Sequence, residues 1–204
     1  MTMTANRQQK TENSKGQLKF LSDQIHKLNH EEWDAFSKIW TPFTARRKEV
    51  ITRSGERERY LYFVLDGVQR VYYHDEYGRE ATLVFTYAPS FGGVLDSMLN
   101  EQISKYNYEA LSKSEFLRAS FSDLNDLMLR YQGVRSIIMT GVSGALAGVL
   151  ERLAELQCFS SEEKFKKLLS RSPHILNIVP HKYLANYLGI DPTNFSKLIN
   201  RVII

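Results

Sequence analysis

Cysteine is nearly absent from this chain. The one thiol, Cys158, excludes an intramolecular disulfide and leaves no set of thiolates in one chain for a zinc or iron–sulfur centre; it reads as a small buried apolar residue. Long apolar runs are lacking too. No uninterrupted stretch reaches the ~18 residues that span a bilayer, and the first residues have no apolar core of the kind a secretion signal needs. A soluble, cytoplasmic protein with no membrane partner is therefore expected. The five histidines, His26, His30, His74, His174 and His181, are scattered. His26 and His30 stand at helical i, i+4 spacing, but without a third ligand they read as solvated surface groups, so no metal is expected. No Gly-x-Ser-x-Gly elbow, phosphate-cradling loop or pair of catalytic carboxylates occurs, which leaves no catalytic residue to nominate and argues against an enzyme. Glu31-Glu32 and Glu162-Glu163 read as exposed or helix-start acids.

What is present has a clear order. With 204 residues, 43% of them hydrophobic, the chain has room for one medium domain and one small one. Residues 1–17 are almost wholly polar and are expected to form a disordered tail. Apolar Leu21, Ile25, Leu28, Trp33, Phe36, Ile39 and Trp40 suggest two short helices broken near Asn29. Beyond Pro42 the texture turns to short segments rich in valine, tyrosine and phenylalanine, separated by turns at Gly55, Gly67, Gly78 and Gly92-Gly93. Strands are expected over 49–52, 60–66, 68–74, 81–87, 106–111 and 114–120, forming an antiparallel sandwich or barrel.

After Asp123 the period changes again. Leu127, Tyr131, Val134, Ile138, Gly141, Ala145, Gly148 and Arg152 fall on one stripe at helical spacing. One helix over 123–158, longer than a small domain needs, is expected to pair in parallel with a second copy between Leu127 and Leu156, its small residues allowing close approach. The other reading packs it only on its own barrel, with the glycines making room for barrel side chains or a ligand. Ser160-Ser161-Glu162-Glu163 then reads as a capped helix start, with Arg171-Ser172-Pro173 as its end.

Residues 179–201 carry the most specific signal. A helix over 180–188 buries Leu184 and Leu188, with small Ala185 where two helices approach. Gly189 turns the chain, Asp191 caps the next helix, and Pro192 suits its first position. Phe195, Leu198, Ile199 and Val202 make one apolar face of that helix, leaving Thr193, Asn194, Lys197, Asn200 and Arg201 elsewhere. This is helix-turn-helix spacing, and such side chains contact bases and phosphates when a helix enters the major groove. A small helical hairpin that completes a core is the plainer reading. Charge placement favours the first. Residues 159–204 hold seven Lys or Arg and three acids, a net of +4, while the first 158 balance at 20 basic and 20 acidic.

The order of helices, barrel, long helix and basic helical pair resembles the Crp/Fnr family of bacterial transcription regulators over residues 18–202. The resemblance rests on Tyr60-Leu61-Tyr62-Phe63-Val64-Leu65-Asp66-Gly67-Val68, on Phe91-Gly92, and on His181-Lys182-Tyr183-Leu184-Ala185-Asn186-Tyr187-Leu188-Gly189-Ile190. It implies an α+β protein. A cyclic-nucleotide-binding-like β-barrel of jelly-roll type, with its leading helices, would occupy 18–122, a dimerisation helix 123–158, and a helix-turn-helix domain 159–204. It further implies a homodimer on double-stranded DNA that can meet RNA polymerase.

In nucleotide-binding members, a Phe-Gly-Glu glutamate holds the ribose and an arginine pairs with the cyclic phosphate. Here Gly93 takes the glutamate position, and Ser104 with Lys105 the arginine position, so the corresponding pocket residues are Phe91, Gly92, Gly93, Ser104 and Lys105. With both charged anchors gone, cyclic AMP in the usual mode is not expected and no cofactor is assigned; an unidentified effector remains open. The alternatives are a true cyclic-nucleotide receptor using Lys105, with Asp96 and Ser97 offering oxygens, and an interaction scaffold that does not bind DNA. On the second helix, the family's base-reading positions hold Pro192, Thr193 and Lys197, so the operator preference should differ from the common one. Thr193, Asn194, Lys197, Asn200 and Arg201 are the candidate base and phosphate contacts, and His181 and Lys182 the phosphate contacts on the first helix. Family members add a short β wing; its absence after Ile204 would reduce phosphate contacts, leaving Val202, Ile203 and Ile204 to pack inward.

Overall fold

The computed structural model describes the backbone of residues 2–201 and the side chains of residues 11–201. Two helices lead, α1 (Thr2–Ile25) and α2 (His30–Lys38). The expected disordered tail is corrected: the polar residues belong to α1, whose Ser14, Leu18 and Ser22 are buried. Arginine, glutamine, lysine and glutamate are good helix formers, so the stretch extends a helix that Leu18 anchors to the body. Asn29 caps α2 in a capping box, its Oδ1 accepting from Glu32 N at 2.9 Å while Glu32 Oε2 accepts from Asn29 N at 3.1 Å.

Eight strands follow: β1 (Thr41–Ala45), β2 (Val50–Thr52), β3 (Tyr60–Asp66), β4 (Val68–His74), β5 (Glu80–Tyr87), β6 (Ser90–Gly92), β7 (Asn107–Ala110) and β8 (Ser114–Ser120), with α3 (Leu95–Leu99) between β6 and β7. They form two antiparallel sheets, ordered β1-β8-β3-β6 and β2-β7-β4-β5. All six expected strands occur within a residue at either end. The two short outer strands β1 and β6, and the single turn α3, offered too little periodicity to be read.

The sheets enclose Ala45, Tyr62, Val64, Val71, Val94, Tyr108, Ala110 and Phe116. Strand β3 is buried on both faces, because Leu61 and Phe63 point the other way into a second core under α1, α2 and the following helices. The barrel is thus a sandwich with a covered back, and its second sheet is covered separately by the C-terminal helices.

The expected continuous helix over 123–158 is two helices, α4 (Phe121–Arg130) and α5 (Gln132–Cys158), broken at Tyr131 in an extended conformation. Glu31 and Glu32 explain the break. Tyr131 donates its hydroxyl to Glu31 Oε1 at 3.1 Å, and Gly133 N donates to Glu32 Oε1 at 2.8 Å. One carboxylate therefore serves the N-termini of both α2 and α5, and a Cβ at position 133 would collide with it. By length and composition alone α5 is apolar enough to cross a bilayer, although no uninterrupted apolar run is that long: its glycines, serines and threonine leave the helix apolar on average. Cys158 at its end is exposed, also against expectation, because the chain leaves the helix there.

Helices α6 (Ser161–Arg171), α7 (Ile175–Ile178), α8 (His181–Leu188) and α9 (Pro192–Arg201) complete the fold. Ser160 and Glu163 form the expected capping box on α6.

Candidate nucleic-acid interface and barrel interior

Local chemistry sets the α8–α9 pair. Gly189 takes a left-handed φ of 60° at the end of α8, which L side chains adopt at a cost. Asp191 Oδ1 then accepts from Thr193 N at 2.9 Å and Asn194 N at 3.3 Å, satisfying two free donors at the start of α9. Phe195 is buried against Phe165, with ring centroids 5.5 Å apart, while Leu184, Ala185, Leu188 and Ile190 fill the same core. Thr193, Asn194, Lys197, Asn200 and Arg201 are all exposed. Thr193, Lys197, Asn200 and Arg201 share one face with Ser196, a residue the sequence pattern did not mark. His181 and Lys182 are exposed at the first turn of α8; the His181 ring lies 5.9 Å from Phe195, and the Lys182 ammonium 4.5 Å over Tyr183. All seven expected contact residues thus lie on the surface of one domain. The apolar role given to Val202, and the packing of Ile203 and Ile204, lie outside the described residues.

The opposite side of α8 is docked on the barrel. Asn186 makes a double hydrogen bond with edge strand β5: its Oδ1 accepts from Thr82 N at 2.6 Å, and its Nδ2 donates to Glu80 O at 2.7 Å. Beneath Tyr183 lies Arg70, 3% exposed, which donates to Glu109 Oε2 at 2.8 Å and Glu80 Oε1 at 2.7 Å. Its guanidinium sits 4.0 Å from the Tyr72 ring and 4.1 Å from the Tyr183 ring, so one cation is held between aromatic faces of two domains. Tyr187 meets Phe85 at 5.0 Å, and Tyr87 meets His174 at 5.1 Å and hydrogen-bonds Ser172. Tyr183, Asn186 and Tyr187 entered the sequence reading only as part of the helix-turn-helix motif, and none of these residues was expected to dock on the barrel. The available signal was Arg70, a charge at alternate spacing between Val68 and Tyr72 in the middle of a strand.

At the junction of α5 and α6, Glu155 is buried and paired with both ends of the Arg171 guanidinium at 2.7 Å. Arg152, expected on a dimer stripe, is instead buried in its own chain 3.7 Å over Tyr187, with Nε and Nη1 lacking acceptors. Burial holds its pKa below the ordinary arginine value. A Cβ added at Gly141, Gly144 or Gly148 would meet nothing within 4 Å, so these glycines make no room for barrel side chains within the chain. The large apolar residues of α5 follow another line. Met139, Leu146 and Leu153 recur at seven residues, as do Val142, Val149 and Leu156, and all but half-buried Val142 are exposed. That is an a/d pattern facing solvent.

The barrel interior departs from the expected pocket. Phe91 faces outward, packed on Trp40 at 5.9 Å and Phe63 at 5.5 Å. Ser104 is buried, but its hydroxyl is engaged in its own turn, donating to Tyr106 O at 2.7 Å and accepting from Tyr106 N at 2.9 Å. Lys105 is exposed. The five expected pocket residues are therefore not brought together around one space; only Gly92 and Gly93 border the interior. Beside Gly92 stands the fully buried Tyr108, whose hydroxyl bonds Thr86 at 3.0 Å. Beside Gly93, at φ 117°, stands Glu58. Its carboxylate accepts from Thr52 Oγ1 at 2.6 Å, Arg59 N at 2.9 Å and Tyr60 N at 3.1 Å. Burial raises its pKa above the usual carboxylate value, against the pull of those hydrogen bonds. Burial, with Glu58 and Tyr108 close by, likewise raises the Tyr62 phenol. Among the described residues, no group of three or more His, Cys, Asp or Glu could hold a metal ion.

Residues 42–131 match the family described as cyclic nucleotide-binding domain. No curated protein gives a significant sequence match. Among solved structures, the chain is similar to FixK2 of Bradyrhizobium japonicum at 19% identity and a TM-score of 0.72, covering 80% of this chain and 84% of that one. It is similar to the c-di-GMP-responsive global regulator CLP of Xanthomonas campestris at 14% identity and a TM-score of 0.62, covering 85% and 91%. The catabolite activator protein of Thermus thermophilus aligns at 22% identity with a TM-score of 0.55, covering 86% and 84%. A jelly roll matching the cyclic nucleotide-binding family, a long helix and a terminal helical pair in this order make the chain a protein of the Crp/Fnr fold.

Proposed function

We propose that this protein is a homodimeric, sequence-specific DNA-binding transcription regulator of the cytoplasm, whose barrel does not bind cyclic AMP in the usual mode. The observation that carries the reading is α9: a polar and cationic face of Thr193, Ser196, Lys197, Asn200 and Arg201, exposed and opposite the buried Phe195, on a helix whose start is fixed by Asp191. A helix that merely completed a core would also show water a polar face; what favours DNA is that this one carries two cations, Lys197 and Arg201, and no acid. The a/d line on α5 supports the dimer, since five large apolar side chains in water need a cover and their seven-residue period suits a parallel copy of the same helix. RNA polymerase is the further partner such a regulator would meet at a promoter.

The barrel supports a departure from cyclic-nucleotide chemistry. Exposed Lys105 does not line the interior, and the carboxylate beside Gly93 belongs to Glu58, already engaged by three donors. A cyclic phosphate there would have a buried anion for a neighbour and no guanidinium of the usual cassette.

The test has two arms. Binding to a random-sequence duplex pool, followed across a salt series, should yield a selected site whose affinity falls steeply with salt, because phosphate contacts release counterions. Absence of binding at low ionic strength would favour the scaffold. Calorimetric titration with cyclic AMP and cyclic GMP should give no micromolar binding; a micromolar site would restore the receptor reading.

A further inference from the structure

The docking of α8 on the barrel does not cover the candidate DNA face. With Asn186, Tyr183 and Tyr187 all engaged by the barrel or by α5, Thr193, Asn194, Lys197, Asn200 and Arg201 remain exposed. A device that silences α9 by covering it would bury that face, whereas this one holds the helix from behind. The contact is also directional. Apolar packing of Tyr187 on Phe85 tolerates sliding, but Asn186 pairs with one amide and one carbonyl of β5, two residues apart, so α8 can sit on the strand only in discrete registers roughly 7 Å apart. Tyr183 on Arg70 fixes a second point, and Arg70 is itself fixed by Glu80 and Glu109. Two separated, chemically specific points on a rigid sheet define the orientation of a helix.

We infer that Asn186, assisted by Tyr183 on Arg70, is a positioning residue that sets the spacing between the two half-sites read by the dimer. The inference rests on the proposed DNA-binding role. In a dimer joined along α5, each α9 is oriented by its own barrel through the α8 dock. The distance and angle between the two α9 helices, and with them the half-site spacing, then follow from where α8 sits on β5. Asn186 itself touches no base; it acts through the orientation of α9.

The experiment uses the full chain and a duplex selected by the wild type from a random pool. Two derivatives are made, one with a single half-site and one with the half-sites moved apart by about 5 base pairs, half a helical turn. Asn186→Ala removes the edge cap, and Tyr183→Leu, an independent variant, keeps the cap but removes the stack on Arg70. Loss of the cap is read from hydrogen exchange of the Thr82 amide, which should become faster in Asn186→Ala. Single half-site affinity should stay within about twofold of wild type, while affinity for the two-site duplex falls about tenfold as the second contact loses its effective concentration. The wild type should lose on the order of a hundredfold when the spacing is changed by half a turn, and both variants clearly less. Equal spacing discrimination in variants and wild type would overturn the inference, as would a Thr82 amide unaffected by Asn186→Ala. Failure of the wild type to select any duplex would overturn the DNA-binding reading itself, and this inference with it.

Discussion

Glu58 puts a carboxylate where the barrel can least accommodate one. Its oxygens are fully engaged, yet burial outweighs those hydrogen bonds and its pKa is raised from 4.5. A carboxyl that holds its proton more firmly folded than unfolded gives the folded state an advantage at low pH. That advantage is lost as pH rises from about the ordinary value through the raised one. Glu58→Gln should therefore gain on the wild type with pH: in urea unfolding from pH 4 to pH 8, the difference in unfolding free energy should move steadily in favour of the variant. A difference independent of pH would mean the carboxylate is solvated. The same residue explains why a glutamate would be poorly placed at position 93. Gly93 has φ 117°, and a Cβ there would lie 3.2 Å from Tyr60 O and 3.6 Å from Glu58 Oε2, so a second acid would add strain and like-charge repulsion.

At the scale of the element, α5 carries two lines of residues that sequence periodicity alone does not rank. The small-residue stripe through Gly141, Ala145 and Gly148 leads to Arg152, which is committed to Tyr187 in its own chain. The line through Met139, Val142, Leu146, Val149, Leu153 and Leu156 spans about 26 Å at 1.5 Å per residue and ends in solvent. If the second line is the seam, Leu146→Glu removes an apolar contact from each copy, about 1.5–3 kcal/mol apiece, and dimer affinity should fall at least about a hundredfold. Gly144→Ala should leave the dimer intact and steady the helix by up to ~1 kcal/mol, since Gly144 stands outside the a/d line. Sedimentation velocity separates the two outcomes: a Leu146→Glu protein that remains dimeric would place the seam elsewhere.

At the scale of the whole molecule, what the sequence revealed was what strong local rules govern. The valine- and aromatic-rich runs of β3 and β4 between glycine turns, the Ser160 and Asp191 caps and the Gly189 turn each involve residues a few positions apart, and all were legible. The break at Tyr131 was not, because its cause, Glu31 and Glu32, lies about 100 residues away. For the same reason the dock was missed, since Asn186 meets Thr82 across 104 positions. The pocket failed differently: family positions Phe91 and Lys105 kept their places in the chain but not their facing, once Tyr108 and Glu58 occupied the space near Gly92 and Gly93. The junction of α5, α6 and α8 holds one cost that no local pattern signals. Arg152 is buried with Nε and Nη1 unpaired, while the neighbouring buried acid, Glu155, is committed to Arg171. A buried cation short of acceptors weighs against the folded state, whereas its stem and flat contact with Tyr187 favour it. Arg152→Met keeps the apolar part of that contact and removes the charge. It should be neutral or stabilising by up to ~2 kcal/mol, in contrast to Glu155→Ala, which takes the bidentate partner from Arg171, leaves it the longer contact to Glu151 at 3.5 Å, and should cost about 2 kcal/mol after allowance for the partly exposed Arg171. Thermal unfolding of both variants decides the matter: a clear loss in Arg152→Met would mean that the guanidinium contributes more through Tyr187 than its burial costs.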